Sequence, residues 1–205
     1  MEWVKLKHIF TADNHSDWMY SHGANPVFKE LEDGTCRVFF TCRDKMSKSH
    51  IAYLDLDFDN DFEIINISKS PVLAPGELGL FDDSGVVMGC FQEIAGEDYL
   101  YYLGWNLKVT VPWLNTIGLA KYNKETEAYE KVSKAPIMDR SNEDPFSISY
   151  PFVLFENGIF KMWYGTNLTW GEEQSKMNHV FKYAESRDGI QWERTNKIVV
   201  DLEHE

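Results

Sequence analysis

Three segments of this chain end in the same way. Arg37-Val38-Phe39-Phe40-Thr41, Tyr99-Leu100-Tyr101-Tyr102-Leu103 and Phe160-Lys161-Met162-Trp163-Tyr164 place aromatic anchors at Phe40, Tyr102 and Tyr164, a step of 62 residues each time. A fixed period of this length marks a repeat architecture, in which each unit buries its apolar face against the next. Other features keep step. His50-Ile51-Ala52-Tyr53, Thr116-Ile117-Gly118-Leu119-Ala120 and Phe181-Lys182-Tyr183-Ala184 recur downstream of the anchors. An apolar landing then follows at Pro71-Val72-Leu73, Pro136-Ile137-Met138 and Ile198-Val199-Val200.

Each unit reads as four short strands. The first unit places them near 26–31, 37–42, 50–56 and 62–67, the second near 86–94, 98–105, 116–122 and 129–132, and the third near 150–155, 159–166, 179–186 and 191–194. Asp33-Gly34 and Asn157-Gly158 are tight hairpin signals between the first two strands of their units. Residues 106–115 and 167–178 read as insertions between second and third strands. No long window carries helical periodicity. The pattern predicts an all-β propeller in a single domain spanning 1–205, with about three four-stranded blades near 20–70, 80–135 and 144–200. Propellers close with at least four blades, so the chain is expected to be the N-terminal part of a longer protein.

Composition narrows the partners. A formal net charge of −13 repels phosphate backbones and anionic lipid heads, so neither nucleic acid nor membrane is an expected partner. No apolar run approaches the length of a membrane span, and Met1-Glu2-Trp3-Val4-Lys5 is no signal-peptide start. A cytoplasmic location is the expectation; the oligomeric state stays open. Cys36, Cys42 and Cys90 lie in strand-like apolar runs, form no CxxC pair, and read as buried thiols. The six histidines show neither HxH nor HExxH spacing, so no metal and no cofactor are expected. Aromatic residues form 15% of the chain, which is more than a ligand site needs. Most therefore belong to strand packing, and a few at a cleft would stack on sugar.

Antiparallel order gathers the start of strand one, the end of strand two and the start of strand three at one rim of each blade. Counting from the anchors aligns Pro26, Gly89 and Pro151 at the heads of the first strands. Asp82 precedes Gly89, and Asp144 precedes Pro151, by the same seven residues. Two carboxylates thus recur at equivalent rim positions, with Asp83 beside the first. They suit an acid–base pair if their environments separate their pKa values; the alternative is that they bind backbone amides of their own turns. His22 suits a sugar hydroxyl, or a structural role. Arg43 and Asp44 form a local ion pair, or Arg43 faces a ligand, where its planar fork suits an acidic sugar. Trp105, with Asn106 beside it, ends a strand at the rim and reads as a stacking platform or as packing between blades.

These residues resemble the five-bladed β-propeller glycosidase superfamily of arabinanases, levansucrases and invertases, and within it an uncharacterised glycosidase-like branch. The motifs that carry the resemblance are Ser21-His22 with Pro26, Phe40-Thr41-Cys42-Arg43-Asp44, Pro71 to Gly79, Phe81-Asp82-Asp83-Ser84-Gly85-Val86, Tyr101 to Asn106, Ile117 to Ala120, Lys161 to Tyr164 and Tyr183 to Trp192. They span nearly the whole chain. The resemblance implies five blades, a central funnel that binds carbohydrate, and hydrolysis by paired carboxyl groups. Relatives keep carboxylates immediately before the head of strand one, where this chain has Asn25, Met88 and Tyr150. As a glycosidase, the chain would therefore draw its acids from Asp82, Asp83 and Asp144, joined by Glu203. The alternative function is a non-catalytic carbohydrate-binding propeller, and a further one is a scaffold for protein partners.

Overall fold

The computed structural model of the protein describes residues 2–31, 34–170 and 177–201. Every regular element among them is a strand. β1 (Ser21–Glu30), β2 (Cys36–Arg43), β3 (Ser49–Asp57) and β4 (Glu63–Ile67) form the first unit. β5 (Gly85–Ile94), β6 (Glu97–Leu107), β7 (Trp113–Asn123) and β8 (Ala128–Lys131) form the second. The third is β9 (Ile148–Glu156), β10 (Ile159–Thr169), β11 (Asn178–Ser186) and β12 (Glu193–Val200). Each unit is an antiparallel meander. A parallel bridge from Ser49 to Gly85 joins the first two units at the rim into one eight-stranded sheet, and β9–β12 form a separate one. The expected all-β propeller architecture is what the chain adopts.

The registers explain the repeat. Phe40 pairs with Ala52, Tyr102 with Gly118, and Tyr164 with Lys182, so the anchors are equivalent points of three sheets. Pro26, Gly89 and Pro151 each fall inside a register shift of the innermost strand. Proline cannot donate to a ladder and so belongs at such bulges. Each apolar landing closes onto the third strand, with Leu73 opposite Ile51, Met138 opposite Ile117, and Val200 opposite Phe181.

Several boundaries differ from the sequence reading. β1 begins at Ser21, because Ser21 and Ala24 pair with Arg43 and Thr41 ahead of the bulge. The β6–β7 and β10–β11 hairpins run further than expected, so much of the two apparent insertions is strand: Asn106 pairs with Leu114, Leu107 with Trp113, and Thr169 with Asn178. In the third unit the landing is continuous with β12. The turn expected between 94 and 98 is Ala95-Gly96, where both residues have positive φ (52° and 80°), as in Asn157-Gly158 (56° and 78°). Gly34, Gly96 and Gly158 keep the 62-residue step. Alanine is a poor marker for a position with positive φ.

The core lies between the units. Phe39, Ile51, Val72, Val86, Met88 and Tyr102 are among the residues packed between the first and second. Tyr101, Ile117, Met138, Ile148, Met162 and Tyr164 are among those between the second and third. Cross-unit hydrogen bonds reinforce this packing: Met88 N–H donates to Thr41 Oγ1 (2.9 Å), and Tyr129 N–H to the Val72 carbonyl (3.1 Å). Replacing Ala95 by asparagine, as in the third unit, relieves the left-handed strain and is expected to raise unfolding stability by up to about 1 kcal/mol. Urea denaturation checks this, and an unchanged or lowered midpoint would contradict it.

Candidate functional site

The rim anticipated from strand order forms as expected. Arg43 lies opposite Ser21 and Ser49, Trp105 opposite Gly85 and Asn115, and Asn167 opposite His179. Arg43, Trp105 and Asn167 all stand three residues beyond their anchors, so they occupy one position of the repeat with three different side chains.

The two carboxylates that recur across units are not on the open rim. Asp82 and Asp144 are both completely buried. The Tyr102 hydroxyl donates to Asp82 Oδ2 (3.1 Å), and Lys131 Nζ lies 2.6 Å from the same oxygen. The Tyr164 hydroxyl donates to Asp144 Oδ2 (2.9 Å), while Lys182 and Arg194 stand 3.0 and 3.1 Å from its oxygens. Burial, and then the neighbouring Asp82 charge, pushes the Tyr102 phenol well above its ordinary value, so it remains a donor. The same two causes act on Tyr164, there with Asp144 as the neighbour. Each aspartate therefore ties the leader of its unit to the anchor on the second strand and to cations on later strands. The first unit has no such tie: its anchor is Phe40, which lacks a hydroxyl and packs in an apolar cluster with Met19 and Ala12.

Asp83 closes its own turn. Oδ2 accepts from the Gly79 N–H (2.9 Å), and Oδ1 accepts from the Ser84 hydroxyl (2.9 Å) and the Asn106 amide (3.4 Å). Partial burial raises its pKa, but these donors outweigh it, helped by Lys48, and hold the carboxyl below its ordinary value. Asn106 also donates to the Leu80 carbonyl (2.6 Å), so its amide faces the loop. Glu203 lies outside the described residues.

Asp44 makes no ion pair with Arg43. Its Oδ1 accepts from the Met46 and Lys48 N–H groups (both 2.9 Å), and its Oδ2 meets His50 Nε2 at 3.1 Å. His22 is exposed, with φ of 66° and Nδ1 2.9 Å from the Ser21 hydroxyl. Asn25 and Tyr150, at the strand-head positions, also have positive φ, whereas Met88 is buried in the core.

At the rim the described residues form a cleft of about 300 Å³ lined by Arg43, Val87, Leu103, Trp105, Trp113, Asn115 and Tyr150. The volume lies at the lower end of ligand sites, roughly 300–1,000 Å³. Trp105 Nε1–H donates to Ser49 Oγ (2.7 Å), which fixes the indole. Gly85 permits this approach, since a Cβ there would lie 2.1 Å from Ser49 Oγ and 2.4 Å from Trp105 Nε1. Trp113 meets Trp170 edge-on at 5.9 Å, and Tyr150 is half exposed. Of the residues singled out in the sequence for ligand binding, the cleft brings Arg43 and Trp105 together. Trp113 was missed, because it falls in a stretch that read as an insertion; the β-prone run Val109 to Leu114 was its one signal. No described lining residue is a carboxylate, so the described part of the cleft offers aromatic faces, one amide and one cation.

No protein-family model matches the chain. It is 41% identical over 201 residues to an uncharacterised protein of Mycobacterium tuberculosis, Rv1502 in strain H37Rv and MT1551 in strain CDC 1551, covering 98% of this chain and 67% of the relative. Solved structures share the fold at low identity. A glycoside hydrolase matches with TM-score 0.76 at 10% identity, covering all of this chain and 64% of that one. A levansucrase variant of B. megaterium matches with TM-score 0.67 at 10% identity (92% and 55%). A BT0996–RGII complex matches with TM-score 0.65 at 15% identity (89% and 58%). The chain thus spans about two thirds of its curated relative and 55 to 64% of these three structures.

Replacing Lys131 by methionine would strand the Asp82 charge away from water. This is expected to cost about 3–5 kcal/mol and lower Tm by roughly 6–20 °C. Adding Asp82→Asn should recover most of the loss. A single variant that melts like the wild-type protein in calorimetry would refute the buried tie.

Proposed function

The chain belongs to one family with the uncharacterised Mycobacterium tuberculosis protein Rv1502, and on that footing we propose that it binds carbohydrate in the Arg43–Trp105 cleft as part of a protein that acts on a glycosidic bond. The observation that supports this reading best is the makeup of the cleft. A fixed indole, a second tryptophan, a half-exposed tyrosine and an amide converge at the strand-head rim. Aromatic faces accept the C–H surface of a sugar ring, while amide and guanidinium groups bond its hydroxyls. Glycosidases and levansucrase share the fold, which favours a glycan as the occupant.

In this reading Asp82 and Asp144 hold the framework, since a group that touches substrate must reach it. The described part of the cleft then supplies recognition, and a carboxyl pair acting on the bond would have to approach from outside its lining. A second reading, a binding propeller without hydrolysis, is favoured by the absence of a carboxylate among the described lining residues.

A glycan panel scored separately for binding and for product release tests both readings. Saturable binding of at least one oligosaccharide is expected, weakened roughly tenfold by Trp105→Ala, the equivalent of about 1.4 kcal/mol. Binding with new reducing ends supports the glycosidase, and binding without them supports the module. Binding unaffected by Trp105→Ala would place the ligand elsewhere.

A further inference from the structure

The cleft differs in charge from the protein around it. The chain carries a formal net charge of −13, yet among the described residues that line the cleft Arg43 is the only charged one. Its guanidinium forms no ion pair among the described residues. The neighbouring Asp44 is occupied by two backbone N–H groups and His50. The contact Arg43 does make is with the Trp105 ring, 5.7 Å from its centroid, within cation–π range. That ring is itself held by Ser49.

The cations of a second cavity, about 160 Å³ between the first two units, provide the contrast. There Arg37 makes two hydrogen bonds to Asp55 (2.7 and 2.9 Å), and Lys29 pairs with Asp98. Those charges are matched within the protein and ask nothing of a ligand. Arg43 is left with its fork of N–H donors beside a stacking surface.

We propose that the cleft selects acidic glycans: a uronate-type sugar ring lies against the Trp105 face, and its carboxylate accepts charge-assisted hydrogen bonds from Arg43. This rests on the carbohydrate-binding reading and adds the class of sugar. A carboxylate fits better than a phosphate ester. One planar guanidinium matches one planar monoanion, whereas a phosphate ester carries about −1.5 to −2 and would keep uncompensated charge beside a strongly acidic protein.

The test is titration calorimetry with uronate-containing oligosaccharides, each measured beside its carboxyl-reduced, neutral form and beside the phosphate ester of that neutral form. The wild-type protein is expected to prefer the acid form over the neutral one by about 10- to 100-fold. Arg43→Gln should cut that preference to below about threefold, with a circular-dichroism spectrum and melting temperature like those of the wild-type protein showing that the variant is folded. Equal affinity of the wild-type protein for acid and neutral forms, or a preference that survives Arg43→Gln, overturns the proposal and leaves carbohydrate binding standing. Tighter binding of the phosphate ester than of the uronate overturns the choice of carboxylate. Failure of every form to bind removes the carbohydrate reading together with the proposal.

Discussion

A carboxylate cut off from water must keep a counterion within reach, and this requirement organises the second and third units. Asp82 and Asp144 each sit at zero exposure, held by a tyrosine hydroxyl from the second strand and by a lysine brought from a later strand. The lysine does not come from the same place. Lys131 ends β8, whereas Lys182 lies in the middle of β11 and Arg194 on β12 adds a second cation. The tie is thus preserved by chemistry rather than by position. In the first unit the anchor is phenylalanine, and apolar packing takes over the same task. Such pairs add little net stability compared with apolar residues of similar volume, but they are costly to break.

This division bears on how a site should be sought in a repeat protein. What recurs from unit to unit is what every unit needs in order to fold. The recurrence of Asp82 and Asp144 fits that description, as does the 62-residue recurrence of the anchors and turns. A ligand meets the rim only once, so its contacts should be where the units differ. The position three residues past each anchor is arginine, tryptophan and asparagine in turn, and the first two of these meet in the cleft.

Most of the fold was legible in the sequence because the constraints that set it are local. Alternation and Gly-containing turns placed all twelve strands, whereas Pro26, Gly89 and Pro151, read from the alignment as strand heads, fall at bulges within β1, β5 and β9. The misses have a common cause. The left-handed conformation of Ala95 within the expected turn has no residue signal, because it is imposed by the hairpin around it. The long β6–β7 hairpin looked like an insertion because its extra pairs depend on register rather than on composition. The depth of Asp82 was invisible because it is fixed by Lys131, almost a whole unit downstream. Rim membership of Arg43 and Trp105 could be read from strand order; that Asp44 would turn away and leave Arg43 without an ion pair among the described residues could not.

A buried ionic framework and an open cleft proposed for recognition are separate parts of one molecule, and the location of a bound sugar decides whether that division of roles is right. A crystal structure of the protein soaked with the tightest-binding oligosaccharide should show a sugar ring against Trp105, with Arg43 in hydrogen-bonding contact and Asp82 and Asp144 still tied to Lys131 and Lys182. A sugar held directly by Asp82 or Asp144, or seated in the cavity beside Arg37 and Tyr53, would contradict it.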